Sequence, residues 1–154
     1  MSDLNPNFVY DEIDERVWRE ELDPFLPPRV FDVHGHVYLA AHLPPGSGES
    51  ANPSTPTVVR EYPHEVFAEA ERRLWPGREV TALIFGSVSL GVDVEATNAY
   101  AAEAARTHGW HALMVPSMTD DAEALLEKVR TGGFLGFKPY WTFVADTSQE
   151  AVTL

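Results

Sequence analysis

The order of apolar and amphipathic stretches predicts an α/β protein built on a parallel sheet. From Arg29 onward, short apolar segments alternate with segments of helical periodicity, the pattern of successive βαβ units. The apolar segments "TALIF" and "ALMV" show no polar alternation, as befits strands covered on both faces. A sheet of this kind either stays open and doubly wound or closes into a barrel.

Each element follows from local sequence. Residues 1–28 form an acidic lead-in, where Asp11 to Leu22 reads as a helix or arm with Ile13, Val17, Trp18 and Leu22 on one side. Pro24, Pro27 and Pro28 then exclude helix. "RVFDVHGHV" is the first strand, followed by a long Pro/Gly/Ser loop, a length typical of binding loops, lids or disordered segments. "PHEVFAEAERRLW" is helical, with Pro63 in its first turn and Val66, Phe67, Ala70 and Leu74 as its apolar stripe. "REVTALIFGSV" is the second strand, and "DVEATNAYAAEAARTHG" a helix that Gly109 ends. "WHALMVPS" is the third strand. "TDDAEALLEKVRTGG" is a helix with Ala122, Leu125, Leu126 and Val129 inward and an Asp120/Glu123 capping box. "FLGFKPYW" is the fourth strand, and "DTSQEAVTL" begins another helix.

Composition narrows the function. Of 154 residues, 44% are hydrophobic and 23% charged, ordinary for a globular domain. A net charge of −13 argues against nucleic acid and anionic membranes as partners, since both repel an acidic chain. With no cysteine there are no disulfides, thiolate nucleophiles or Cys-type zinc sites. The N-terminus lacks the basic and apolar regions of a secretory signal, and no apolar run is long enough to span a bilayer, so a cytoplasmic location is expected. Neither GxGxxG after the first strand nor GxxxxGK[ST] occurs, so dinucleotide and P-loop chemistry have no support.

Chemistry concentrates in "FDVHGHV". Side chains alternate along a strand, so His34 and His36 face the same way, and Asp32 is expected to join them. Two imidazoles at a strand end form a preformed chelate for one cation, with Asp32 placed to orient a ring. The C-terminal ends of parallel strands are also where α/β proteins carry their chemistry. Alternatively, the histidines are incidental and half exposed. The second feature is Lys138, one of only two lysines, at the end of the fourth strand. Beside a cation its amine would titrate lower and could serve catalysis as a base or electrostatic group, or it could take up CO2 as a carbamate and become an anionic ligand. The alternative is a lysine reaching from a strand end into solvent.

"FDVHGHV", the βα rhythm and "GGFLGFKPYW" four strands in together resemble the amidohydrolase-related branch of the amidohydrolase superfamily, from about Arg29 to the C-terminus. The resemblance implies a metal-dependent (β/α)8 barrel of TIM type. It implies that His34 and His36 ligate a divalent metal, commonly zinc and sometimes manganese or iron. Lys138 matches the fourth-strand lysine that is carbamylated and bridges metals in some members, and Asp32 matches the motif aspartate, which would act on a ligand rather than touch the metal. The activity implied is attack of metal-activated water on a small-molecule substrate, with decarboxylases and hydro-lyases of the same superfamily as the alternative.

Such a barrel typically needs roughly 250 residues. The family's later-strand His, His and Asp have no counterpart here, so residues 29–154 are expected to form a partial barrel of about four βα units, truncated after its N-terminal half. Little catalysis is expected from this polypeptide alone. Its sheet edges should call for another chain or self-association. His42 is a spare ligand or pocket candidate, and Tyr140 and Trp141 candidate pocket walls. Asp93 and Asn98, after the second strand, could approach the mouth of the site, but helix capping and solvation explain them at least as well. Two other readings stand beside the enzyme: a non-catalytic half-barrel that binds or assembles, and an open α/β domain in which the histidines carry no metal.

Overall fold

The computed structural model describes residues 10–45, 61–89, 91–117 and 120–140. Trp141, the segment "DTSQEAVTL" and most of the long loop after the first strand lie outside the described residues.

The elements in chain order are α1 (Glu12–Val17), β1 (Arg29–His36), α2 (His64–Leu74), β2 (Glu79–Phe85), α3 (Val94–His108), β3 (His111–Met114), α4 (Ala122–Gly132) and β4 (Gly136–Phe137). The strands form one four-stranded parallel sheet in the order β1-β2-β3-β4. Each strand therefore lies next to its predecessor. No helix among the described residues is long and apolar enough to cross a membrane.

The helices start and stop on local signals. Asp11 caps α1 with a reciprocal contact to Asp14, and a π-helical turn, Trp18–Leu22, continues it. Trp18 packs edge-on against Trp75 and Arg78 lies over its ring, which ties this segment to the end of α2. Asp93 caps α3 by accepting from the N–H of Ala96, and Gly109 ends it in left-handed backbone at φ 69°. The cap of α4 is Asp121, which accepts from the N–H of Ala124, and not the expected Asp120. Asp120 instead accepts from Lys128 Nζ at 2.7 Å.

The core lies between the sheet and α2 and α3. Val37, Phe67, Ala82, Ile84, Ala101, Ala104, Ala105 and Ala112 form it. Small alanines on α3 let that helix approach the sheet closely. Three expected apolar positions are exposed, Leu74 on α2 and Ala122 and Leu126 on α4; on α2 the buried residues are Phe67, Ala70 and Glu71. Tyr38 and Tyr62 exchange main-chain hydrogen bonds of 3.0 and 2.9 Å and bring the two ends of the long loop together.

Candidate metal centre

The site begins with an irregularity in β1. Asp32 pairs with Ala82 and Gly35 with Ile84, so three steps along β1 match two along β2. This is a β-bulge. Its extra residue leaves the N–H of His34 to be taken by Asp32 Oδ1 at 2.9 Å. Beyond the bulge the alternation has changed phase. Asp32 shares its register position with core-facing Ala82, whereas His36 pairs with Phe85, on the opposite face. Asp32 therefore does not face the same way as His36, contrary to simple alternation. It acts on His34 through the main chain.

Gly35 is required here by close approach. A Cβ at this position would lie 2.6 Å from the ring of Phe67 and 3.0 Å from Ile84. With no side chain at position 35, β1 sits down on α2 while His34 and His36 project to the face away from the helices.

The two imidazoles lie 5.4 Å apart between ring centroids. Both pack edge-on against Phe85, at 5.0 Å for His34 and 4.2 Å for His36. Phe85 is fully buried and forms the floor of the site. His36 Nδ1 lies 3.0 Å from the carbonyl oxygen of Gly86, a contact in which the ring must donate. Its Nε2 is thereby left as a lone pair. Burial foremost, and the neighbouring His34 and Lys138, hold its pKa below the usual histidine value, against the opposing pull of the Gly86 carbonyl. The ring is thus neutral at physiological pH, the form in which imidazole binds metals.

Lys138 completes the cluster from the far side of the sheet. Its main-chain N–H donates to Met114 O at 2.7 Å, which sets its place just past β4. Its Nζ lies 3.4 Å from His34 Nδ1, 4.1 Å from the centroid of Phe85 and 5.7 Å from that of Tyr140. Tyr140 in turn stands 6.2 Å from Phe85. His34, His36, Lys138 and Tyr140 are therefore brought together around one aromatic floor, at the C-terminal ends of β1, β2 and β4.

The remaining candidates sit elsewhere or outside the described residues. His42 lies in a short 3-10 turn, Ala40–His42, where Nδ1 accepts from the N–H of Leu39 and the ring packs against Tyr100. Asn98 is neither a cap nor merely solvated. Its carboxamide donates to Val115 O at 2.7 Å and accepts from Val115 N at 2.9 Å, holding the chain just past β3. Among the described residues no group of three or more His, Asp or Glu side chains is placed to hold a metal. The donor set at this site is thus two imidazoles and one amine.

Two participants escaped the sequence reading, Phe85 and Gly86. Their signal was the change from "ALIF" to "GS" at the end of the second strand. A Cβ at Gly86 would meet the side chain of Thr97, whose Oγ1 accepts from the N–H of Ser87. A cavity of about 430 Å3 lies on the other side of the sheet, between α3 and α4, lined by Asn98, Met114, Asp120 and Lys128 among others. It does not open on the histidines.

Compared with family models, with curated proteins and with solved structures, the chain shows no match.

Proposed function

We propose that this chain carries the first-strand part of a divalent-metal centre of the amidohydrolase type, on the first four βα units of a (β/α)8 barrel. The observation that supports this reading is the convergence of His34, His36 and Lys138, residues up to 104 positions apart, on one face of the sheet at its C-terminal end. The consecutive strand order β1-β2-β3-β4 is the order that a barrel wall requires, whereas a doubly wound sheet reverses direction.

The residues fit a metal in kind. His36 presents a neutral ring whose tautomer is set by a backbone carbonyl, the arrangement usual for metal-binding histidines. His34 supplies a second imidazole, and the carbamate that Lys138 would form with CO2, the ammonium giving up two protons in all, would supply an anionic oxygen. When bound, a cation here would supply Lewis acidity toward water and a small substrate. Zinc suits this donor set, with manganese or iron as alternatives. Phe85 and Tyr140 would exclude water from one side of the pocket. Decarboxylase or hydro-lyase chemistry uses the same centre.

The decisive measurement is the metal content of the purified chain beside a His34→Ala/His36→Ala variant. One equivalent of zinc or manganese that the native chain holds and the variant lacks supports the reading. Equal metal in both proteins, or none in either, removes it.

A second reading, a half-barrel that assembles with another chain or with itself, draws on a separate observation. Phe31 (49%) and Val33 (63%) on β1 and Leu135 (66%) and Phe137 (47%) at β4 are exposed, and β1 and β4 are the two edges of the described sheet. Sedimentation of the chain tests it, and a monomer at high micromolar concentration would count against it.

A further inference from the structure

We propose that His64 and His108 form a second cation site, independent of the first, that takes a late first-row divalent metal and clasps the start of α2 to the end of α3. The two residues lie 44 positions apart, and their rings meet nitrogen to nitrogen, His64 Nδ1 to His108 Nε2, at 2.9 Å. A neutral pair at this distance shares one proton. A metal with imidazole bonds of about 2.0–2.1 Å in tetrahedral geometry separates its two nitrogens by about 3.3 Å. The pair therefore needs to open by about 0.4 Å, and each ring must turn by roughly 35° so that its lone pair points at the cation rather than at the other ring.

The surroundings favour the cation form. Glu65 Oε1 lies 3.5 Å from His64 Nε2, the ring nitrogen turned away from His108. A carboxylate there favours the tautomer with its proton on Nε2 and its lone pair on Nδ1, the relation that commonly orients metal-binding imidazoles. His108 is held by stacking on Trp110, at 4.1 Å and 16° between planes. His64 is held by its own N–H, which donates to Tyr100 Oη at 3.1 Å. Burial foremost raises the pKa of the Tyr100 phenol, against the hydrogen bond from the His64 main chain, and Glu65, Glu103 and Glu61 add to the rise, so the neighbourhood is negative. A chain of net charge −13 adds to that field.

Proton balance is simple. The cation takes the place of the shared proton, which moves to His108 Nδ1, so two neutral rings bind without net proton release. With only two protein ligands, one fewer than a catalytic zinc site keeps, water would fill the remaining positions and the affinity would be modest. Imidazole donors favour zinc, copper and nickel over manganese or magnesium.

Zinc alone is the probe, added to the full chain carrying His34→Gln/His36→Gln so that the first site is silent. One equivalent is expected to bind. At a hundredfold excess over its dissociation constant it should raise the melting temperature by roughly 5–10 °C. Adding His108→Gln should abolish that rise yet leave the metal-free melting temperature close to its parent, because the carboxamide N–H still donates to His64 Nδ1. If the first-site substitutions unfold the chain, the comparison moves to the otherwise native protein, where His108→Gln must lower zinc stoichiometry by one. A zinc response that survives His108→Gln overturns the proposal, as does no response in the parent at millimolar zinc.

Discussion

Lys138 Nζ lies 3.4 Å from His34 Nδ1, although 104 residues separate the two in the chain. The contact spans the sheet, from one edge strand to the end of the other. It brings together the two features that stand out most in the sequence, and Phe85 beneath them excludes water from one side. An ammonium beside an imidazole lone pair and an aromatic face is a polar group with partners. A carbamate there would be an anionic oxygen beside two imidazoles.

Lys138→Met distinguishes these states. Its effect on folding is expected to stay within about 1 kcal/mol, because the side chain is only half-buried and methionine keeps the contact with Phe85. Zinc affinity at the His34/His36 site should fall roughly tenfold or more. Bicarbonate should tighten zinc binding to the native chain and leave the variant unaffected. If bicarbonate affects both alike, the carbamate has no part in the site.

Gly35→Ala should destabilise the fold by about 1–3 kcal/mol, since the new methyl group would overlap the Phe67 ring and press on Ile84. Chemical denaturation reads this directly. Adding Phe67→Leu should restore part of the loss by making room. A variant with Gly35→Ala alone that is as stable as the native chain would show that β1 does not sit on α2 as described.

Glu71 gives a pH dependence of defined sign. It is buried on α2, and burial foremost, with Asp32 nearby, raises its pKa from 4.5 to about 7 despite the hydrogen bond from Trp75 Nε1. The folded chain thus holds a proton that the unfolded chain has released between pH 4.5 and about 7. The contribution of Glu71 to stability is therefore full below that window and is lost as pH rises through it. Glu71→Gln keeps an acceptor for Trp75 and does not titrate. Its stability relative to the native chain should grow through the window and level off above it, in urea unfolding at a series of pH values. A difference that is constant with pH would refute the assignment.

Asn98→Ala should cost about 2–3 kcal/mol. It removes both partners of the Val115 main chain and leaves a buried N–H and C=O unpaired. Asn98→Asp keeps the acceptor for Val115 N–H but sets a carboxylate against Val115 O, and should be at least as damaging. Thermal unfolding of the two variants checks both. A loss under 0.5 kcal/mol for each, the ordinary surface range, would mean that Asn98 is not what holds the end of β3.

Among the described residues, the elements, their order and the parallel sheet were legible in the sequence because they rest on local periodicity and on caps such as Asp93 and Gly109. So was the placing of His34, His36 and Lys138 at strand ends. Facing was less legible. Alternation sends Asp32 to the side of the histidines, but a bulge adds one residue and reverses the phase, because the close approach of Phe67 and Ile84 at Gly35 is a three-dimensional constraint. Capping chemistry placed the start of α4 one residue early, because Asp120 and Asp121 look alike until Lys128 takes one of them.

The sequence by itself determined which residues are available for chemistry and on which strands they lie, because residue type and periodicity are local properties. Only the tertiary structure decided which of them meet. Gly86 O setting the tautomer of His36, Phe85 flooring the site, and His64 meeting His108 are contacts between segments far apart in the chain. No periodicity encodes them; they exist because burying one face of each helix against the sheet brings distant strand and helix ends within a few ångströms.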